Sequence, residues 1–241
     1  MSNTKTALVT GANKGIGFAV ADALAAKGIQ VWIGARDLDR GNAAVQKLAA
    51  KGHDVRFLQI DVSDDQSVSE AAVRLAAETN ALDVLINNAG IVRDSTPPSE
   101  AKIADLREVY ETNVFGPIRV TQAFIPLLKK AQGARVVMMS SGLGSLGLVT
   151  DPTSIYSTAN LLGYNSSKTA LNAVAVSFAK ELERYGIKVN AVEPGSVATD
   201  LNGHSGEMTT EEGAESAVAM AVIGKDGPTA GFFGRYGRQP W

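Results

Sequence analysis

The sequence predicts an α/β fold, a doubly wound parallel sheet of about seven strands with helices on both faces, in a single domain spanning 1–241. Three observations predict it. Short apolar runs alternate with segments of helical period from residue 6 onward. The first run hands over to a helix through a glycine-rich turn, Thr10-Gly11-Ala12-Asn13-Lys14-Gly15-Ile16-Gly17. The 241 residues, 45% hydrophobic and 20% charged, suit one sizeable core better than two.

Ala7-Leu8-Val9 is the first buried strand, and Phe18, Val20, Ala21, Leu24 and Ala25 recur at helical spacing after the turn. Glycines there permit a tight turn and a close approach of pyrophosphate, while the free N–H groups of the new helix face the anion. Gly28 stops that helix, and Gln30 to Gly34 forms a second strand. At a strand end of this kind an acid accepts a ribose 2′-hydroxyl and a base accommodates a 2′-phosphate. Ala35 is followed here by Arg36, and Lys14 projects from the turn, which favours NADP; Arg40 adds a third cation, while Asp37 and Asp39 read as helix caps.

Residues 54 to 60 make the third strand, ending in Asp61-Val62. Asp61 is either an acceptor for the adenine amino group or a turn residue, and Ser63 is placed to cap the helix carrying Val68, Ala71, Ala72 and Leu75. Leu82 to Ile86 is the fourth strand, running into Asn87-Asn88-Ala89-Gly90; the amides can satisfy exposed loop backbone or hold neighbouring strands together, and Gly90 leaves room for a cofactor to pass. Alternating strands and helices imply right-handed crossovers, so ligands sit at the strands' carboxyl ends in a Rossmann-type arrangement. From 99 to 130 the pattern is helical, interrupted at Pro117, whose missing N–H leaves the Asn113 carbonyl unpaired and able to hold a water.

Ala134 to Met139 is the fifth strand, followed by Ser140-Ser141. Gly142 to Gly147 matches G-x-G-x-x-G, but the run into Asp151-Pro152 reads as a flexible loop with no helix after it, and Ser145 lacks the paired glycines of a hydrolase elbow. The clearest helix covers 164 to 185, with Tyr164 and Lys168 four residues apart on one face and Gly186 as its stop. Residues 187 to 192 form the sixth strand, reaching Glu193-Pro194-Gly195; 196 to 213 reads as a substrate lid, 214 to 222 as a short helix and Phe232-Phe233 as a last strand.

Bulk properties exclude several classes. A net charge of −2, with 23 basic and 25 acidic residues interspersed, favours neither nucleic acid nor an anionic membrane. The absence of cysteine removes disulfides, thiolate sites and a cysteine nucleophile, and the isolated His53 and His204 show no metal-ligand spacing. With no signal-like or long apolar stretch, the chain is expected to be soluble and cytoplasmic.

Together, T-G-A-N-K-G-I-G at 10 to 17, N-N-A-G at 87 to 90, Asn113, Ser141, Y-N-S-S-K at 164 to 168 and P-G-S-V-A-T at 194 to 199 resemble the short-chain dehydrogenase/reductases, in order and over nearly the whole chain. Asn13-Lys14, Ala35-Arg36-Asp37 with Arg40-Gly41, and Glu211 to Glu215 resemble the NADPH-dependent carbonyl reductases of that family. The resemblance implies NADPH/NADP+ bound by Gly11, Asn13, Lys14, Gly15, Ile16, Gly17, Arg36, Arg40, Asp61, Val62, Asn88, Ala89, Gly90, Tyr164, Lys168, Pro194, Gly195, Val197 and Thr199, and a catalytic set of Asn113, Ser141, Tyr164 and Lys168. It makes Tyr164 the general acid for a small-molecule aldehyde, ketone or quinone-like carbonyl, Ser141 the polariser, and Asn113 the holder of a water linking Lys168 to solvent. A cation about 5 Å from the phenol at an effective dielectric near 20 contributes roughly 3 kcal/mol, so Lys168 would lower the Tyr164 pKa by about two units. In most members the serine precedes the tyrosine by about a dozen residues; here Ser141 precedes Tyr164 by 23, so 142 to 163 carries an insertion expected to roof the substrate site. Ser140 stays a competitor for the serine role, and the insertion borders the helix that relatives use for tetramers, which predicts a monomer. An alcohol dehydrogenase working oxidatively and a non-catalytic NADPH-binding protein are the alternatives.

Overall fold

Strand order in the sheet is set by where the chain first reverses direction. In the computed structural model, which describes residues 4–93 and 96–241, β1 (Thr6–Thr10) pairs in parallel with β2 (Gln30–Ala35) on one side and with β4 (Val84–Asn87) on the other. β3 (Val55–Gln59) extends the first side, and β5 (Arg135–Met139), β6 (Lys188–Val192) and β7 (Phe232–Gly234) extend the second, giving the order β3-β2-β1-β4-β5-β6-β7-β8. The eighth strand, Gly237–Arg238, is a two-residue antiparallel addition at the edge beyond the expected sheet. Residues 1–3, 94 and 95 of the expected domain span lie outside the described residues.

Alternation along the strands divides the core between the two faces. Leu8, Leu85, Val136 and Met138 face one side with α3 (Asp65–Glu78), α5 (Gly116–Leu128) and α7 (Leu162–Leu182). Ala7, Val9, Ile86, Val137 and Met139 face the other with α1 (Gly15–Ala25), α2 (Leu38–Ala49) and α8 (Thr210–Ala221). Phe124 and Leu85 are fully buried, and each such side chain contributes about 1.5–3 kcal/mol of transfer free energy. Helices on both faces explain why the central strands read as unbroken apolar runs. Among the described residues no helix is long and apolar enough to cross a membrane.

Helix ends depart from the sequence expectations in four places, each for a local reason. Asp37 caps α2 by accepting from the Arg40 N–H, but α3 is capped by Asp64, whose carboxylate accepts from the Ser67 N–H at 2.6 Å, and not by Ser63. Ser63 instead donates to Asp61. The stretch after Gly142 is not a featureless loop: Ser141 and Ser145 cap a 3-10 turn (Gly142–Gly144) and the short helix α6 (Leu146–Thr150). α8 starts at Thr210, four residues before Ala214, because Thr209 and Glu212 form a reciprocal capping box. The helical stretch expected from 99 is divided into a 3-10 turn (Pro98–Glu100), α4 (Ile103–Tyr110) and α5. Between α4 and α5 lies a π turn, Glu111–Phe115, where the Gly116 N–H reaches back five residues to the Glu111 carbonyl. That widened turn sits immediately before Pro117 and buries Asn113 completely.

Candidate active site

The carboxyl ends of β1, β4, β5 and β6 converge on one edge, at the point where the sheet order reverses between β1 and β4. The glycine-rich turn leaves β1 there. Gly11 has φ +65°, and a Cβ on it would lie 2.9 Å from the Ala89 backbone; a Cβ on Gly17 would collide with the Asn88 amide. Asn88 Nδ2 donates to the Thr10 carbonyl at 2.9 Å and to the Gly11 carbonyl at 3.3 Å, and Thr10 Oγ1 accepts from the N–H groups of Asn88 and Ala89. Asn88 and Ala89 therefore act in the structure as the clamp that shapes the turn. Gly17→Ala should break that fit and lower the unfolding free energy by about 1–3 kcal/mol, measured by urea titration; an unchanged midpoint would show that the clamp is dispensable.

Beyond the turn, α1 begins with Lys14 at its N-cap, no side-chain cap and no acid in its first turn. α2, α3 and α8 each have both a capping side chain and an acidic first turn. The N–H groups opening α1, from Gly15, Ile16 and Gly17, are thus left to an external anion, so the turn fits the pyrophosphate of a dinucleotide. Asn13 and Lys14 flank it, and Lys14 Nζ pairs with Asp200 at 2.5 Å. Thr199, one residue before Asp200, approaches Gly15: a Cβ there would lie 3.9 Å from its methyl group.

The other predicted cofactor residues fall along the same edge. Arg36 follows β2, exposed, and makes no ion pair among the described residues. Arg40 lies 3.7 Å from Asp37. Asp61 holds Ser63 through both its N–H and its hydroxyl, the turn alternative for that carboxylate, and the Val62 carbonyl accepts from Arg119. Pro194 and Gly195 follow β6, and the lid segment folds back on itself, with the Ala198 N–H bonded to the Met208 carbonyl and the Met208 N–H to Ser196. Val197 is buried in that ladder.

Four chemically active residues meet beside this turn. Lys168, buried on α7, donates from Nζ to the Met139 carbonyl at 2.7 Å and lies 5.6 Å from the centre of the Tyr164 ring. A Cβ on Gly90 would lie 3.5 Å from Lys168 Nζ and 3.4 Å from Asn113 Oδ1, which measures how closely β4, α7 and the π turn approach. Asn113 pairs with Ile91 through both amide groups, at 2.9 Å each, and donates to Ser167 Oγ. Its side-chain amide is thus committed to the protein. Ser141 is hydrogen-bonded to Tyr164, whereas Ser140 is buried and donates to the Lys168 carbonyl.

Charge states follow from burial. The Tyr164 phenol is raised above its ordinary value by desolvation, with the Ser141 bond pulling the other way. Lys168, whose ammonium donates to the Met139 carbonyl, does not reverse the rise as the sequence led us to expect. Desolvation brings Lys168 itself from 10.5 down to about 8. Between those values the unfolded chain holds a proton that the folded chain has lost, so unfolding free energy should climb with pH from about 8 to 10.5. Urea titrations across that window should show the climb flattened in Lys168→Met; an identical slope would contradict the burial. No cluster of three or more His, Cys, Asp or Glu that could hold a metal occurs among the described residues.

Comparison with known proteins agrees with this geometry. Residues 5–210 match the family described as short chain dehydrogenase. The chain is 39% identical to a short-chain dehydrogenase of Penicillium roqueforti, covering 90% of this chain and 88% of that one. It is 34% identical to the NADPH carbonyl reductase 1 of Mus musculus over 100% of this chain and 99% of the relative. The structure of NADPH-bound carbonyl reductase from chicken fatty liver superposes with a TM-score of 0.87 at 30% identity, covering 99% of this chain and all of the other.

Proposed function

The chain belongs to the short-chain dehydrogenase family, as an oxidoreductase similar to carbonyl reductases, and from that premise we propose that it reduces aldehydes, ketones or quinone-like carbonyls to alcohols with NADPH. The observation that carries the reading is the convergence of Tyr164, Ser141 and Lys168 beside an uncapped helix N-terminus at the sheet's switch point. When bound, the cofactor supplies the hydride.

Gly11, Asn13, Lys14, Gly15, Ile16 and Gly17 would hold its pyrophosphate, Arg36 and Arg40 its 2′-phosphate, and Asp61 and Val62 its adenine. Asn88, Ala89 and Gly90 would border its path, Pro194, Gly195, Val197 and Thr199 its nicotinamide end, and Lys168 its ribose. Ser141 donates a hydrogen bond to the substrate oxygen, and Tyr164 gives that oxygen its phenolic proton as negative charge develops. Lys168 stabilises the phenolate left behind, and the Asn113 carbonyl seats the water that returns a proton. Residues 142 to 163 contain no Lys, Arg or His, so that segment offers no cation to an anionic substrate. A small-molecule carbonyl as partner and the cytoplasm as location belong to the same reading.

The test is the loss of reduced-nicotinamide absorbance with NADPH and with NADH against aldehydes, ketones, dicarbonyls and quinones. Turnover with NADPH is the expected result; binding of NADPH without turnover of any carbonyl would replace the reductase with a cofactor-binding role.

A further inference from the structure

One partly buried pair beside the site has no part in the mechanism above. The Tyr156 hydroxyl donates to Glu193 Oε2 at 3.0 Å, and the same oxygen accepts the Gly195 N–H at 2.8 Å. Glu193, at the end of β6, is 8% exposed, forms no salt bridge among the described residues, and packs so closely on Gly234 that a Cβ there would collide with Oε1. A buried carboxylate without a cation depends on its hydrogen-bond donors. Tyr156 is a dependable one, since desolvation and the charge of Glu193 hold its phenol far above the ordinary range.

The ring of Tyr156 lies flush on Gly142, where any side chain would strike it, and Gly142 directly follows Ser141. Apart from Asn165 Nδ2 on α7, which donates to the Ala159 carbonyl at 3.1 Å, the other hydrogen bonds of residues 151 to 160 are local, through the Asp151, Ser154 and Tyr156 carbonyls and the Asp151 carboxylate. α6 is fastened separately, by Ser145 Oγ to the Pro240 carbonyl and by the Gly147 N–H to Trp241.

We propose that Tyr156 and Glu193 form a latch that pins the 151–160 segment to the end of β6, presses it on Gly142, and thereby positions Ser141 and the substrate wall for the carbonyl. Both are positioning residues. The kinetic half of this inference rests on the reductase reading; the structural half does not.

Tyr156→Phe removes the latching hydroxyl and keeps the ring. Hydrogen exchange of residues 151–160 should accelerate about tenfold, the worth of one hydrogen bond to a charged acceptor, with exchange in α7 unchanged. The KM for the carbonyl should rise by a similar factor, while kcat and NADPH affinity stay within about twofold. Glu193→Gln, which retains an acceptor oxygen, should show a smaller change in both readouts and serves as the second variant should the first unfold. Unchanged exchange in 151–160 would overturn the latch, and so would faster exchange with an unmoved KM or a fall in kcat alone. Absence of any turnover in the wild type would instead count against the reductase reading, leaving the exchange measurement to decide the latch by itself.

Discussion

Tyr164→Phe is expected to lower kcat/KM for NADPH-dependent carbonyl reduction by about 10²–10⁴, the range supplied by a positioned general acid, while NADPH binding, followed by fluorescence, stays within about twofold. The argument is one of charge. Hydride arrival without proton transfer leaves an alkoxide in a desolvated site, and the Ser141 hydroxyl can share that charge but has no ordinary path to give up a proton near neutrality. Tyr164 retains its proton because burial raises its pKa, so on the proposed reading the acid is loaded before the substrate arrives. The phenylalanine ring fills the same volume, and the variant should fold. Activity within tenfold of wild type would transfer the acid role elsewhere, and loss of NADPH binding would make Tyr164 a cofactor residue first.

Much of this arrangement was legible because it is encoded locally. Strands buried on both faces read as apolar runs, and Gly11 to Gly17 mark the turn at which a strand hands over to a helix. Tyr164 and Lys168 share a helical face, so their proximity follows from periodicity. The misplaced helix starts were also local, but each depended on choosing between neighbouring cap candidates: Asp64 prevails over Ser63 through a charged acceptor at 2.6 Å. For α8 the signal was present as Thr209-x-x-Glu212, a capping box that composition alone obscured in a Gly- and Ser-rich stretch. Ser141 and Ser145 gave the same kind of notice of the 3-10 turn and α6.

What was not legible is pairing between distant segments. Glu193 and Tyr156 are 37 residues apart, and Lys14 and Asp200 are 186 apart. No periodicity announces either pair. Asn88 was legible in kind: amides at a strand end can satisfy loop backbone or hold neighbouring strands together, and the Thr10 and Gly11 carbonyls are the partners its donors use. Lys168 illustrates the same limit in electrostatics. From sequence it is a cation beside a phenol; in the fold its ammonium is turned to the Met139 carbonyl, and burial lowers its own pKa to about 8.

The distribution of partners among three cations leads to the second large effect. Lys14 is paired with Asp200, and Arg40 lies beside Asp37, so each has a carboxylate with which a 2′-phosphate would compete. Arg36 has none among the described residues, and Glu108, itself bonded to Arg93, feels it only through space. If NADPH is selected here, Arg36 should carry most of the selection. Arg36→Asp replaces a planar fork suited to phosphate with a repelling carboxylate that can instead accept a ribose 2′-hydroxyl. The KM for NADPH should rise about 10²-fold, while that for NADH holds steady or falls. Lys14→Met should raise the KM for NADPH less, because its ion pair with Asp200 already offsets part of its attraction. Steady-state kinetics with both cofactors separates the cases: equal effects of Arg36→Asp on the two would remove the 2′-phosphate from this strand end, and a larger effect of Lys14→Met would move it to the glycine-rich turn.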